Sequence, residues 1–247
     1  PDFERFLTIL RRERADRPVL GEMFVGWRAL RDAAGFEPDT ADRLDRLRME
    51  IEGYRNLGYD FAVPGLPGFN FPKGERPKLS SVSMSEGAVI VDRASFESLD
   101  WTSPDAADYI SEAEMSGLLP DGMKIIARCP GGVLENVISL VGLESLCYLM
   151  TDDPALVRDI FDRVGSLLLR HVEIMASYAC VGALLSNDDW GFKTQTVLSP
   201  AQMREYVFPW HKRIVEAAHA AEKPAILHSC GNLTAVWDDI IDDMRFD

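Results

Sequence analysis

His228 and Cys230 stand two residues apart in the stretch Ala225 to Asn232 (AILHSCGN), and imidazole and thiolate are the two side chains that bind zinc most readily. In a strand, residues i and i+2 share a face, so Ile226, His228 and Cys230 point one way while Leu227 and Ser229 point the other. Gly231 and Asn232 then break the strand. Two such ligands at a strand tip suit a zinc site, which needs a third protein ligand if it is catalytic and a fourth if it is structural. The plainer alternative is a buried thiol beside a hydrogen-bonded histidine. Asp188 and Asp189, at the end of an apolar run 181–186, have the chemistry of a general acid or base, or of a group that orients a metal ligand; the competing reading is a capped turn. Trp190 and Phe24, with Glu22, are candidates for the wall of a substrate pocket, and Gly131 and Gly132 for a close backbone approach that offers amides to an anion. His171, His211, His219 and Cys147 fall within helical patterns and are read as structural or surface residues.

The elements that must position these residues alternate in type. Phe3, Phe6, Leu7 and Leu10 recur at helical spacing, and the apolar run 18–25 reads as a first strand ending in Gly26 and Trp27. Thr40 can cap a helix carrying Leu44, Leu47, Ile51, Tyr54 and Leu57. A second strand spans 59–63. Residues 64–78 hold so many Pro and Gly that only a long loop fits, and loops of this length at the end of a domain are commonly functional. A β-hairpin insertion is expected near 79–92, followed by a helix opened by Ser103 and Pro104. Strands at 123–129, 181–186 and 225–230 follow, separated by helices capped at Asp153 and Ser199, the last with a kink at Pro209. Strand–helix alternation means parallel strands with helices outside. Neither a dinucleotide fingerprint nor a phosphate loop accompanies it. A (β/α)₈ TIM barrel of class α/β is therefore expected, as one domain over 1–247. Five main strands are too few for that barrel, so a C-terminally truncated chain is expected as well.

Composition narrows the partners. The chain has 40 acidic against 26 basic residues, a formal charge of -14, which disfavours nucleic acid and anionic lipid as ligands. No apolar run approaches the roughly 18 residues of a membrane span, and the four cysteines are widely spaced without a CxxC pair. A cytoplasmic protein acting on a small molecule is expected, with a homo-oligomer left open.

The ordered series Asp188 to Gly191 (DDWG), Leu198 to Gln202 (LSPAQ), Tyr206 to Trp210 (YVFPW) with Ile214 and Ala217 to His219 (AAH), then Leu227 to Asn232 (LHSCGN), resembles the uroporphyrinogen decarboxylase superfamily. That superfamily also contains the zinc-dependent corrinoid methyltransferases, and the fold it implies is the (β/α)₈ barrel. The decarboxylase signature MRQAGR carries arginines for a polycarboxylate substrate, whereas the matching stretch here reads GEMFVGW, from Gly21 to Trp27. The aspartate of the decarboxylase's FSDI segment has no counterpart between Val63 and Gly68. His228 and Cys230 instead match the His-x-Cys pair of the methyltransferase branch, whose third ligand is a Cys on a later strand, expected beyond Asp247. The resemblance thus implies zinc, and methyl transfer between a corrinoid (cobalamin) held by a partner protein and a thiol or pterin acceptor. Two other functions stay open: a metal-independent carboxy-lyase acting on uroporphyrinogen or a related carboxylate, and a non-enzymatic corrinoid-protein docking module.

Overall fold

The computed structural model describes residues 1–66, 68–72, 74, 84 and 87–247. Among the described residues four strands, β1 (Phe61–Ala62), β2 (Lys124–Arg128), β3 (Val181–Asn187) and β4 (Ala225–His228), form one sheet in chain order with every neighbouring pair parallel. Parallel neighbours need a crossover connection, and helices supply it. α1 (Phe3–Leu10), α2 (Trp27–Ala34) and α3 (Arg43–Asn56) precede β1, and α4 (Arg93–Ser98) and α5 (Glu112–Leu118) follow it. α6 (Val133–Val141), α7 (Leu143–Asp152) and α8 (Pro154–Ser177) connect β2 to β3; α9 (Pro200–Gln202) and α10 (Phe208–Ala220) connect β3 to β4. Strands added one after another in parallel order make an arc of a (β/α)₈ barrel, so the expected fold class holds.

Burial explains the strand sequences. Ile125, Ile126 and Ala127 of β2, and Val181, Ala183, Leu184 and Leu185 of β3, are all buried, the continuous apolar pattern of a sheet covered on both faces. Behind them α8 lays Leu156, Val157, Ile160, Phe161, Val164, Leu168 and Val172 into the core at helical spacing. The expected caps are in place, with Asp153 accepting from the Leu156 amide and Ser199 and Gln202 closing a reciprocal capping box. Among the described residues no single helix is long and apolar enough to cross a membrane.

Four local expectations are corrected. Residues 18–25 form no strand; they run along the rim, with Phe24 59% exposed. An apolar run becomes a strand only where a neighbour pairs with it, and here Arg17 and Arg5 instead fasten the segment's start to the buried carboxylate of Asp60, at 2.7 and 3.1 Å. Asp42, not Thr40, caps α3, accepting from the Leu44 amide at 2.8 Å. The helix expected from Pro104 is two pieces, a 3₁₀ turn Pro104–Ala106 and then α5, because Ser111 opens a second capping box with Glu114. The kink at Pro209 takes the form of a π-helical turn, Met203–Val207, in which the Phe208 amide reaches back to the Met203 carbonyl. Proline lacks an amide to continue the ordinary ladder, and the wider turn absorbs that loss. As for the hairpin near 79–92, residues 75–83, 85 and 86 lie outside the described residues; residues 88–92 are described and contain no strand.

Candidate metal centre and cleft

The tip of β3 sorts its side chains by parity. Alternate residues of a strand face opposite sides, so Ser186 and Asp188 turn toward the helices while Asn187 and Asp189 turn toward the open centre of the arc. Asp188 is fully buried, and its two oxygens accept from the Leu134 and Glu135 amides, each at 2.9 Å, and from His211 Nε2 at 2.8 Å. It therefore caps the N-terminus of α6 from a neighbouring strand, where the helix dipole favours an anion. His211, also fully buried, bonds Ser186 Oγ through Nδ1 at 3.2 Å. The network closes when Nε2–H donates to Asp188 and the Ser186 hydroxyl donates to Nδ1.

Asp189 has the opposite fate. It meets His228 and Cys230 from the tip of β4, and one donor atom from each of the three lies within 4.8 Å of the other two. His228 Nε2 is 3.7 Å from Cys230 Sγ and 3.9 Å from Asp189 Oδ1. In a tetrahedral zinc site with bonds of about 2.0 to 2.3 Å, neighbouring ligand atoms lie roughly 3.3 to 3.8 Å apart, so this donor set fits the ion with small adjustments. The backbone already holds it: Asp189 Oδ1 accepts from the Cys230 amide at 2.9 Å, the Gly191 amide donates to the Cys230 carbonyl, and the Asn232 amide to the Phe192 carbonyl. A hydrogen bond from the thiol to the Asp189 carboxylate, then burial, raises the Cys230 thiol above its ordinary pKa. A bound divalent cation reverses that balance and favours the thiolate.

Beside this cluster opens a cleft of about 600 Å³, lined by both aromatic residues of the 64–78 loop, Phe69 and Phe71, by the β2 tip from Arg128 to Gly131, and by Glu135, His171, Asn187 and Asp189. Glu135 Oε2 accepts from the Gly132 amide at 3.1 Å and from Asn187 Nδ2 at 3.3 Å. Burial, and then the charge of Asp188, push its pKa up to about 7. A carboxyl poised there can carry a proton in either direction at neutral pH. In metal-free protein the Glu135 carboxyl should titrate by ¹³C NMR with a midpoint near 7, not near its ordinary 4.5. Because the folded value is the raised one, its contribution to stability is full below about 4.5 and is lost as pH rises through 7. A midpoint below about 5 would contradict the enclosure described. His171, at the cleft's edge, bonds Tyr109 through Nδ1 at 2.8 Å, and burial lowers its pKa to about 4, so it is neutral at pH 7.

The residues singled out from sequence separate accordingly. Asp189, His228 and Cys230 come together, and Gly131 lines the cleft. Asp188 is enclosed and does not line the cleft, whereas Asp189 and Glu135 do. Gly132 serves Asp188, since a Cβ there would lie 2.0 Å from the Asp188 Cβ and Cγ. Trp190 is fully buried against Phe208 and His211, a core residue and no pocket wall. Glu22 and Phe24 sit on the rim, where the Glu22 carboxylate accepts from the Phe24 amide and the Phe24 ring stacks on Arg128, its centroid 4.6 Å from the guanidinium carbon. Glu135 and Arg128 line the cleft without having been singled out, and His171, read as structural or surface, lines it too. Only Glu135 had a signal, three residues beyond Gly132 at capping-box spacing.

A parallel α/β arc with ligating and titratable side chains gathered at its strand C-termini is a barrel protein built to carry chemistry on that face. The uroporphyrinogen decarboxylase (URO-D) family model matches residues 70–247, and the chain belongs to this family. Among solved structures it is similar to a methyltransferase from Methanosarcina mazei, with a TM-score of 0.65 and 15% identity over 98% of this chain and 73% of that one. At that identity the likeness is one of fold. No curated protein matches the sequence significantly.

Proposed function

We propose that this chain is a zinc-assisted methyltransferase of the URO-D family, moving a methyl group between a corrinoid held by a partner protein and a thiol or pterin acceptor. The cluster of Asp189, His228 and Cys230, whose Asp189 also lines the cleft, carries this reading. His228 and Cys230 would hold the ion, with Asp189 as a carboxylate donor beside them. Zinc, once bound, supplies the positive charge that makes an acceptor thiol acidic at neutral pH. Glu135 is placed in the same cleft to take the proton released, and Phe69 and Phe71 keep water from the acceptor.

The test is to incubate the protein with methylcobalamin and a small thiol and follow loss of the methyl–cobalt absorption. Turnover should require zinc, stop on chelation and return on zinc addition. Turnover indifferent to chelation, or no zinc uptake, would sink the proposal. A metal-independent carboxy-lyase is the second reading, favoured by Arg128 and a proton-carrying Glu135 in one cleft; decarboxylation of uroporphyrinogen by chelator-treated protein would establish it.

A further inference from the structure

Arg128 ends β2 and lines the cleft, yet no carboxylate lies within ion-pair distance of it among the described residues. Other arginines without a carboxylate partner, such as Arg12, Arg14 and Arg245, are exposed to water, whereas Arg128 is half-buried; Arg5, Arg17 and Arg170 each hold a carboxylate. The Arg128 Nε is enclosed and meets no acceptor. Glu50 and Tyr54, buried on α3, lie within its field, but Glu50 gives its oxygen to the Gly65 amide at 2.7 Å and Tyr54 gives its hydroxyl to the Val63 carbonyl. Phe24 covers one face of the guanidinium and leaves its in-plane edge as the polar surface. A partly desolvated guanidinium whose enclosed Nε has no partner is costly to keep, and a planar fork of donors matches an oxyanion better than any other ligand.

We infer that Arg128 is the anchor of an oxyanion subsite in the cleft, which takes the carboxylate, sulfonate or phosphate of a small acidic substrate. The inference deepens the proposed function, since it rests on the cleft being the active site and adds that the acceptor bears an anionic group. Asn187 stands at the same cleft with its Oδ1 acceptor buried and unpartnered while its amide serves Glu135, so it is placed to take a hydroxyl or other donor of the same molecule, and the anionic group falls to Arg128. The metal cluster lies on β3 and β4, one and two strands along the sheet from the β2 tip. A bifunctional molecule can thus reach both, its anionic end on Arg128 and its reactive end toward His228 and Cys230.

The test uses chelator-treated full chain and calorimetric titration with succinate, ethanesulfonate and inorganic phosphate, and with succinamide as the uncharged control. One of the oxyanions should bind and succinamide should not, and the order among the three identifies the group. Arg128→Met should weaken that binding at least tenfold, with Arg128→Lys between the two. Thermal melting guards against misfolding: the oxyanion should raise the melting temperature of the wild type and leave that of Arg128→Met unchanged, while the unliganded variant melts at or above the wild-type temperature. Equal binding by wild type and Arg128→Met, no binding of any oxyanion, or an unliganded variant that melts far below wild type would each overturn the assignment. Zinc uptake at His228 and Cys230 is measured separately, so failure of the metal reading and failure of the oxyanion subsite are told apart.

Discussion

His228→Ala and Cys230→Ser should each lower zinc affinity by at least about 100-fold, with stoichiometric zinc in the wild type falling to trace levels after dialysis against a weak chelator. Loss of a partner that only orients a ligand commonly costs 10- to 100-fold, and these residues would be ligands themselves. Neither change should unfold the protein. His228 is 44% exposed at its side chain and Cys230 is exposed, so the metal-free melting temperatures should match wild type within the effect of about 0.5 kcal/mol typical of surface substitutions. Asp189→Asn separates a ligand from a bystander. It keeps the hydrogen-bond acceptor for the Cys230 amide but removes the charge, and an affinity loss of roughly tenfold or more is expected if the carboxylate binds the ion. Full zinc retention by both His228→Ala and Cys230→Ser would remove the metal centre.

Gly132→Ala is expected to be among the most damaging single-atom additions available in this chain, costing about 4 kcal/mol or more. The new Cβ would sit 2.0 Å from Asp188 Cβ and Cγ and 2.4 Å from Oδ1, so either the aspartate leaves the α6 N-terminus or the β3 tip moves. If the aspartate leaves, the Leu134 and Glu135 amides and His211 lose their acceptor together, a buried charge network broken at its centre. Gly117→Ala is the control. It lies inside α5 with nothing within 4 Å of the added methyl, and should stabilise by about 0.5 to 1 kcal/mol. Urea unfolding of the two variants side by side measures both. A Gly132→Ala variant as stable as wild type would mean that Asp188 does not cap α6.

Much of this architecture is legible in the amino-acid order. The expected β2, β3 and β4 end within two residues of the observed strands, because a continuous apolar run bounded by polar turns is stable chiefly as a strand buried on both faces. The nearness of His228 and Cys230 is legible for a similar reason, since the two stand two residues apart where β4 ends. Asp188 and Asp189 are not distinguishable in this way. Both are acidic and adjacent, and what separates them is which side of β3 each faces, a property fixed by where the strand begins. The run 18–25 misleads because its apolar content resembles a strand, while the missing ingredient is a pairing neighbour. Arg128 is invisible, and His171 passes for a structural residue, for a related reason: each joins the cleft through long-range packing, with no local spacing to mark it.

The π-helical turn at Met203–Val207 has one more consequence. A π turn is an ordinary helix with one residue added, and each added residue rotates everything after it by about 100°. From Phe208 onward, α10 is therefore phase-shifted against the helix that starts at Pro200, and His211 reaches Asp188 in the shifted phase. The alignment of that imidazole with the strand tip is thus a matter of residue count. This segment is an indexing device, permissive toward many substitutions of similar size and unforgiving of any change in length.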